Sequence, residues 1–266
     1  MIYAAPGNLV LTSDLRWIPV ETLKVGQRLL SLEESTQARR QRRWEWSSVT
    51  FVSSEKRECF EVLLSNGEVL IATEDHPWLT GVMGQCWVPT RNLNYRAHKT
   101  VLPRLLKLWE PNKTYESGWL AGFFDGEGYI TLGRQCGLQV AAHQKFGPVA
   151  DQAMRFVVEL GFGYRTTQQR DLVKIHITGG TAETMRFLGT VRPVRLIGRL
   201  VANDTLPSIR RYRDGENLRI LSITPNGERE MISFRTTNNT CLINGFASLD
   251  TERVSEIKKR QKEVAA

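Results

Sequence analysis

Ser117-Gly-Trp-Leu-Ala-Gly-Phe-Phe-Asp-Gly-Glu-Gly-Tyr-Ile130 is apolar through Phe124 and then sets two carboxylates, Asp125 and Glu127, among glycines. Read as a helix, Trp119 to Phe124 is apolar nearly all round, so burial is expected rather than exposure. Ala121 and Gly122 leave a strip almost bare of side chains, along which a partner backbone can approach closely. The helix should end near the glycines, with Gly126 or Gly128 in the left-handed cap. Glu127 then stands at the negative end of the helix dipole, where a carboxylate needs a balancing cation. A divalent metal is the simplest such cation.

Leu120-Ala-Gly-Phe-Phe-Asp-Gly-Glu-Gly128 resembles the motif of LAGLIDADG homing endonucleases, with Phe123 and Phe124 in its two variable apolar positions. The resemblance implies two such helices packed at a two-fold or pseudo-two-fold axis through Ala121, Gly122, Asp125 and Gly126. It also implies that Glu127 binds a divalent metal, Mg²⁺ or Mn²⁺, at the scissile phosphates. The plain competitor is a buried helix ending in a turn. An EF-hand calcium loop does not fit, because it would put Phe123 at the first ligand position and Arg134 where a bidentate glutamate is required.

The chain has 266 residues and a formal net charge of +8, which favours a polyanionic partner. Cys59, Cys86, Cys136 and Cys241 are scattered without metal-ligand spacing, so reduced thiols are expected rather than a disulfide framework or a zinc site. No apolar run reaches membrane length, and the N-terminus lacks the pattern of a signal peptide. A cytoplasmic protein without membrane contact is therefore expected.

Residues 1 to about 110 read as mostly β. Leu9-Val-Leu11, Gln27-Arg-Leu-Leu-Ser31, Ser48-Val-Thr-Phe-Val52, Cys59-Phe-Glu-Val-Leu-Leu64 and Val69-Leu-Ile-Ala72 are strand-like, and Asn66-Gly67 marks a hairpin. From Thr114 the pattern turns to helices alternating with strand pairs. After about Tyr212 it returns to short strands, with a turn expected at Pro225-Asn-Gly227. The fold class is thus α+β, with one domain inserted into another: 1–112 and 213–266 form the outer domain, the latter with a helical tail, and 113–212 the inserted one.

The outer segments resemble an intein-like Hint domain. Ala5-Pro-Gly-Asn-Leu-Val-Leu-Thr12 with Ile18-Pro-Val-Glu-Thr-Leu-Lys-Val-Gly26 is similar to its opening, Thr73-Glu-Asp-His-Pro77 to its Thr-x-x-His block, and Thr240-Cys-Leu-Ile-Asn-Gly-Phe-Ala-Ser248 to its C-terminal block. The splicing positions depart from that pattern. Tyr3 stands where a cysteine or serine nucleophile is needed, and only Met1 and Ile2 precede it. Leu249 and Asp250 replace the penultimate histidine and final asparagine; leucine cannot move a proton and aspartate has no amide nitrogen to cyclise. Splicing is expected to be dead, with Thr73 and His76 structural.

Arg39-Arg-Gln-Arg-Arg-Trp-Glu-Trp46 interleaves arginines with tryptophans, so Arg39, Arg40, Arg42 and Arg43 are candidates for phosphate contacts, against a solvated hairpin tip. The inserted segment reads as helix (117–127), strands (129–134, 138–146), helix (148–160), strands (163–169, 172–178) and helix (181–189). This αββαββα order also resembles the LAGLIDADG core. Alternation in Gln139 to Lys145 and Tyr164 to Arg170 puts long polar residues on one strand face, suited to base edges in a major groove. Candidate DNA contacts are Arg134, Gln139, His143, Lys145, Arg165, Gln168, Arg170 and Lys174; the competing reading is an ordinary solvent face. The resemblance further implies catalytic roles for Gln144 and for Arg199, with Arg195 as the alternative.

A single motif implies a homodimer and a pseudo-palindromic duplex target. The expected function is site-specific, Mg²⁺-dependent cleavage of double-stranded DNA. The alternatives are a self-processing intein protein and a non-cutting nucleic-acid-binding protein of the LAGLIDADG fold.

Overall fold

The computed structural model describes residues 1–34, 42–80, 86–93, 100–133, 137–203, 206–209 and 216–253. In chain order the strands β1 (Ile2–Ala4), β2 (Leu9–Leu11), β3 (Trp17–Pro19), β4 (Arg28–Leu32), β5 (Trp44–Leu64), β6 (Val69–Thr73), β7 (Pro77–Thr80), β8 (Cys86–Pro89) and β9 (Val101–Arg104) come first. Next come helix α1 (Tyr115–Glu127), strands β10 (Gly128–Gly133) and β11 (Gly137–Lys145), and helix α2 (Pro148–Glu159). Strands β12 (Tyr164–Gln169) and β13 (Leu172–Ile177) precede helices α3 (Gly180–Val191) and α4 (Val194–Val201). Strands β14 (Glu216–Thr236), β15 (Thr240–Ile243) and β16 (Phe246–Leu249) close the order. The chain forms two compact units, one of Met1–Thr12, Trp17–Lys107 and Arg211–Ala266, the other of Ser13–Arg16 and Leu108–Arg210.

The first unit is mostly β, and its sheet runs β3-β2-β15-β16-β9-β14-β5-β4, with β1, β6, β7 and β8 attached off that path. Its spine is the antiparallel pair β5 and β14, 21 residues each. Two separate runs were expected in β5, because Ser53-Ser-Glu-Lys-Arg-Glu58 is polar throughout and carries no alternation. That stretch is extended because it pairs with Glu228 to Ser233, which satisfies its backbone without burial. The turn expected at Pro225-Asn-Gly227 is instead an irregularity within β14. Register shifts between Pro225 and Gly227, where Gly227 takes φ +67, and Pro225 brings no N–H to the ladder.

Apolar clusters fill this unit, among them one with Ile2, Val10, Leu29, Val49, Phe234 and Ile243 and another with Val62, Leu64, Trp78, Leu102, Ile220 and Phe246. The Asn66-Gly67 hairpin joins β5 to β6, with Gly67 at φ +85 and its N–H donating to the Leu64 carbonyl at 2.9 Å. Strand β9 pairs with the start of β14, Arg104 facing Glu216.

The second unit has a four-stranded antiparallel sheet in the order β10-β11-β13-β12. Leu138, Val140, Ala142, Val173, Ile175 and Ile177 line its buried face under the helices. Phe187 of α3 touches Phe124 and Phe162, ring centroids 4.9 and 5.1 Å apart. Thr114 starts α1, its hydroxyl accepting the Ser117 N–H at 3.4 Å. Helix α4 was not foreseen as an element. The segment Ser13–Arg16 belongs to this unit: the Leu15 carbonyl accepts from Trp109 Nε1 at 3.1 Å, and Arg192 donates to the Asp14 carboxylate at 3.1 Å. Gly189 lies under that indole, where a Cβ would fall 2.0 Å from Nε1.

Among the described residues no helix is long and apolar enough to cross a membrane.

Candidate functional sites

Helix α1 does not end in a left-handed cap. Gly128 is extended, φ −84 and ψ 160, and leads straight into β10. Glycine is needed there because a Cβ would lie 2.3 Å from the Phe124 carbonyl oxygen. The burial expected all round α1 is also only partial. Leu120 and Phe124 are fully buried, whereas Gly118, Gly122 and Gly126 are exposed, with nothing within 4 Å of a Cβ built on any of them. Their i, i+4, i+8 spacing makes one open glycine strip. Ala121 is half-buried, and Trp119 and Phe123 stack beside the strip at 5.4 Å.

The cation at the helix end is part of the chain. Arg195 of α4 donates to the carbonyls of Asp125, Phe124 (3.2 Å) and Gly128 (2.7 Å), so its guanidinium neutralises the negative end of α1. Asp125 answers in the other direction. Its carboxylate accepts the N–H groups of Val194 at 2.8 Å and Arg195 at 2.9 Å, capping the start of α4. The dipole therefore creates no requirement for a metal, and Arg195 is a helix tie rather than a free catalytic base. Glu127 is exposed beside this tie and makes no hydrogen bond or ion pair among the described residues. Its hard oxygens suit Mg²⁺ or Mn²⁺, but one chain contributes a single carboxylate here, and no cluster of three or more metal-ligating side chains occurs among the described residues.

Gly128 pairs with Ala142, so continuing that ladder carries Gln144 to the sheet end at which Glu127 lies. Gln144 shares the helix-side face with Ala142, and its Oε1 accepts the Lys145 N–H at 2.8 Å. Arg199 is exposed on α4, one turn beyond Arg195.

The opposite face of the sheet is polar. The register puts Tyr129 (β10), Gln139, His143 and Lys145 (β11), Lys174 and His176 (β13) and Arg165 (β12) on it together. The Tyr129 and His143 rings stack at 5.3 Å, and Lys174 Nζ lies 5.5 Å from the Tyr129 ring. Two sequence candidates fall elsewhere. Gln168 pairs with Val173 and so belongs to the helix-side register, and Arg170, at φ +56, sits in the β12–β13 turn. Arg134 lies outside the described residues. His176 was not singled out, although the alternation of Leu172-Val-Lys-Ile-His-Ile177 places it beside Lys174.

Of the arginine-tryptophan stretch, Arg42, Arg43, Trp44 and Trp46 are among the described residues. Arg42 is 4% exposed, donates to the Glu33 and Glu34 carbonyls at 2.6 and 2.7 Å, and lies over Trp87. Arg43 is held to Glu33, and Trp44 and Trp46 are buried. Arg42, Trp44 and Trp46 are thus taken up in packing within the first unit, whereas the Arg43 side chain stays half exposed. Arg39 and Arg40 lie outside the described residues.

In the first unit, Tyr3, His76 and Ser248 line one small cavity with Asn8, Leu70 and Asn244. Ser248 Oγ lies 3.3 Å from His76 Nε2, and Thr73 Oγ1 donates to Asp75 at 2.7 Å. Arg57 sits over the Tyr3 ring at 4.7 Å, and burial pushes the phenol up from its ordinary value. Leu249 and Asp250 are buried. The Asp250 carboxylate takes the Met1 amino group and the Glu252 N–H, and the Thr251 N–H donates to the Met1 carbonyl at 3.0 Å. First strand, His76 and last strand thus converge.

Burial pushes His76 down to about 4, with the Asp75 carboxylate pulling weakly the other way. A folded value below the ordinary 6.5 means that the unfolded chain takes up the proton first. Stability from this group is full above that ordinary value and falls as pH drops toward the folded one, by about 3 kcal/mol at most. Urea melts of His76→Phe should lose this acid slope relative to the native protein; an unchanged slope would assign it to other groups.

The sequence matches no family model, and no curated protein matches it. Solved structures similar to it include a mutant of an Ssp DnaB mini-intein variant, at 12% identity and TM-score 0.42, covering 93% of this chain and 98% of that one. A DnaB intein from Synechocystis sp. PCC 6803 aligns at 11% identity and TM-score 0.43, covering 93% and 97%. A bacterial intein-like domain from Clostridium thermocellum aligns at 10% identity and TM-score 0.40, covering 94% and 99%. Likeness at this level carries no argument about activity.

Proposed function

We propose that the second unit is a LAGLIDADG-type DNA endonuclease domain acting as a homodimer, and that the mostly-β unit, whose segments flank it in the sequence, is a Hint domain that does not splice. The observation that carries this reading is α1 itself: an open glycine strip on a helix that ends in an exposed Glu127 and runs directly into a sheet with a basic open face. A second copy could pack along Gly118 and Gly122 without displacing any side chain, bringing two Glu127 carboxylates together. Glu127 of each copy would hold a divalent cation, which supplies charge neutralisation at the scissile phosphate. Arg195 and Asp125 fix the helix end from which that carboxylate projects. Gln139, His143, Lys145, Arg165 and Lys174 would face the duplex.

Cleavage of a random duplex library with Mg²⁺ tests the reading. Glu127→Gln should cut at least about a hundredfold less while still binding DNA. Gly122→Leu should turn a dimer into a monomer that keeps its circular dichroism spectrum, since the strip is open. Full cleavage by Glu127→Gln would remove the assignment.

A second reading is self-processing, favoured by the convergence of Tyr3, His76 and Ser248. It requires cleaved or ligated products on expression. An intact chain by mass spectrometry is expected instead, because Tyr3 and Leu249 offer neither an acyl-shift nucleophile nor a proton carrier.

A further inference from the structure

We propose that a cavity of the mostly-β unit binds a free α-amino acid with a large apolar side chain, a site independent of the DNA-binding reading above. The cavity holds about 260 Å³ and is lined by Phe60, Glu74, Thr90, Arg91, Leu93 and Ile223. Its floor is apolar. Phe60 comes from β5 and Ile223 from β14, just before the irregularity at Pro225, and Leu93 follows a single helical turn at Thr90–Asn92. Leu93 is buried, whereas Phe60 and Ile223 are half-buried and line the cavity with apolar surface. Drug-sized ligands occupy pockets of about 300 Å³ and upward, so this one suits a smaller molecule.

The mouth carries one charge of each sign. The Arg91 N–H donates to the Glu74 carbonyl at 3.0 Å, so the two side chains leave adjoining backbone and line the same space. Both residues are exposed, and neither side chain makes an ion pair or a hydrogen bond among the described residues. The third polar group is already engaged: Thr90 Oγ1 accepts from Trp78 Nε1 at 3.0 Å and donates to the His76 carbonyl at 3.3 Å. These partners decide what can enter. A purely apolar guest would strip water from both charges without replacing it. An anion alone would face the Glu74 carboxylate, and a cation alone the Arg91 guanidinium. A molecule with both charges on one carbon leaves neither unpaired. Its carboxylate meets Arg91, its ammonium meets Glu74, and its side chain descends onto Phe60, Leu93 and Ile223. An aromatic side chain gains ring contact with Phe60 besides, which makes phenylalanine the probe.

Isothermal titration of the full-length protein with L-phenylalanine tests this. Saturable binding is expected, and glycine, which lacks the apolar part, should bind at least about tenfold more weakly. So should hydrocinnamate, which lacks the ammonium, and phenethylamine, which lacks the carboxylate. Arg91→Gln and Glu74→Gln alter exposed side chains, should keep the native circular dichroism spectrum, and should each weaken phenylalanine binding by a similar factor. No saturation with either phenylalanine or leucine would overturn the proposal. Equal binding of hydrocinnamate would overturn it too, by making the cavity a plain carboxylate site. Unchanged affinity in either variant would place the amino acid elsewhere. N-acetylphenylalanine binding as tightly as phenylalanine would replace the free amino acid with the C-terminal end of a peptide.

Discussion

Gly245→Ala is expected to destabilise the mostly-β unit by about 3 kcal/mol, the largest effect of any single methyl group added to it. Asn244 and Gly245 are the two central residues of the β15–β16 hairpin, at φ 49 and 83, the paired positive values of a type I′ turn. Alanine there meets the left-handed cost common to such positions. It also meets backbone, because its Cβ would lie 1.9 Å from the Leu106 carbonyl oxygen. No rotamer change relieves that clash. Separation of the strands would break the bond from the Leu105 N–H to the Gly245 carbonyl, 2.8 Å. Gly67→Ala is the control: φ is +85, but nothing lies within 4 Å, so only about 1 kcal/mol should be lost. Equal urea midpoints for the two variants would show that the close approach to Leu106 has no energetic weight.

The second large effect is expected at the α1–α4 tie. Arg195→Ala removes the donors on three carbonyls and should cost about 2 to 3 kcal/mol, as should Asp125→Ala, which strips the acceptor from the first N–H groups of α4. Arg195→Lys should recover little, because one ammonium group cannot reproduce a planar fork spread over three oxygens. The two side chains cap the adjoining ends of α1 and α4 at one junction, so the double variant should lose less than the sum of the single ones. Hydrogen exchange at Val194 and Arg195 gives the local readout: protection should fall in both single variants. Strict additivity, with protection retained, would mean that the two caps act independently.

Much of the second unit was legible in the sequence because its strands and helices have clean periods. Gln139-Val-Ala-Ala-His alternates, and Pro148 to Leu160 recurs at helical spacing. Helix α4 was not, since Val194 to Val201 is short and its start is capped by Asp125, 69 residues earlier than Val194. The same distance hid the true role of Arg195, which local spacing leaves free. In the first unit the long ribbon was misread as separate runs because Ser53 to Glu58 owes its extended form to a partner strand rather than to its own residues. Arg42 shows the converse limit. Composition makes it a surface cation, and only the two carbonyls that close around it reveal a buried brace. The cavity at Tyr3, His76 and Ser248 gathers residues from both ends of the chain, so the motifs marked its members but not their meeting.

Because β9 and β14 are neighbours whose rungs begin at Arg104 and Glu216, the chain departs and comes back across a single step of ladder. Topologically, everything between is an oversized hairpin loop, and a short reverse turn would close the gap without re-registering a strand. Removal of that loop should leave the mostly-β ladder in register, because both of its partners at this step belong to the same unit.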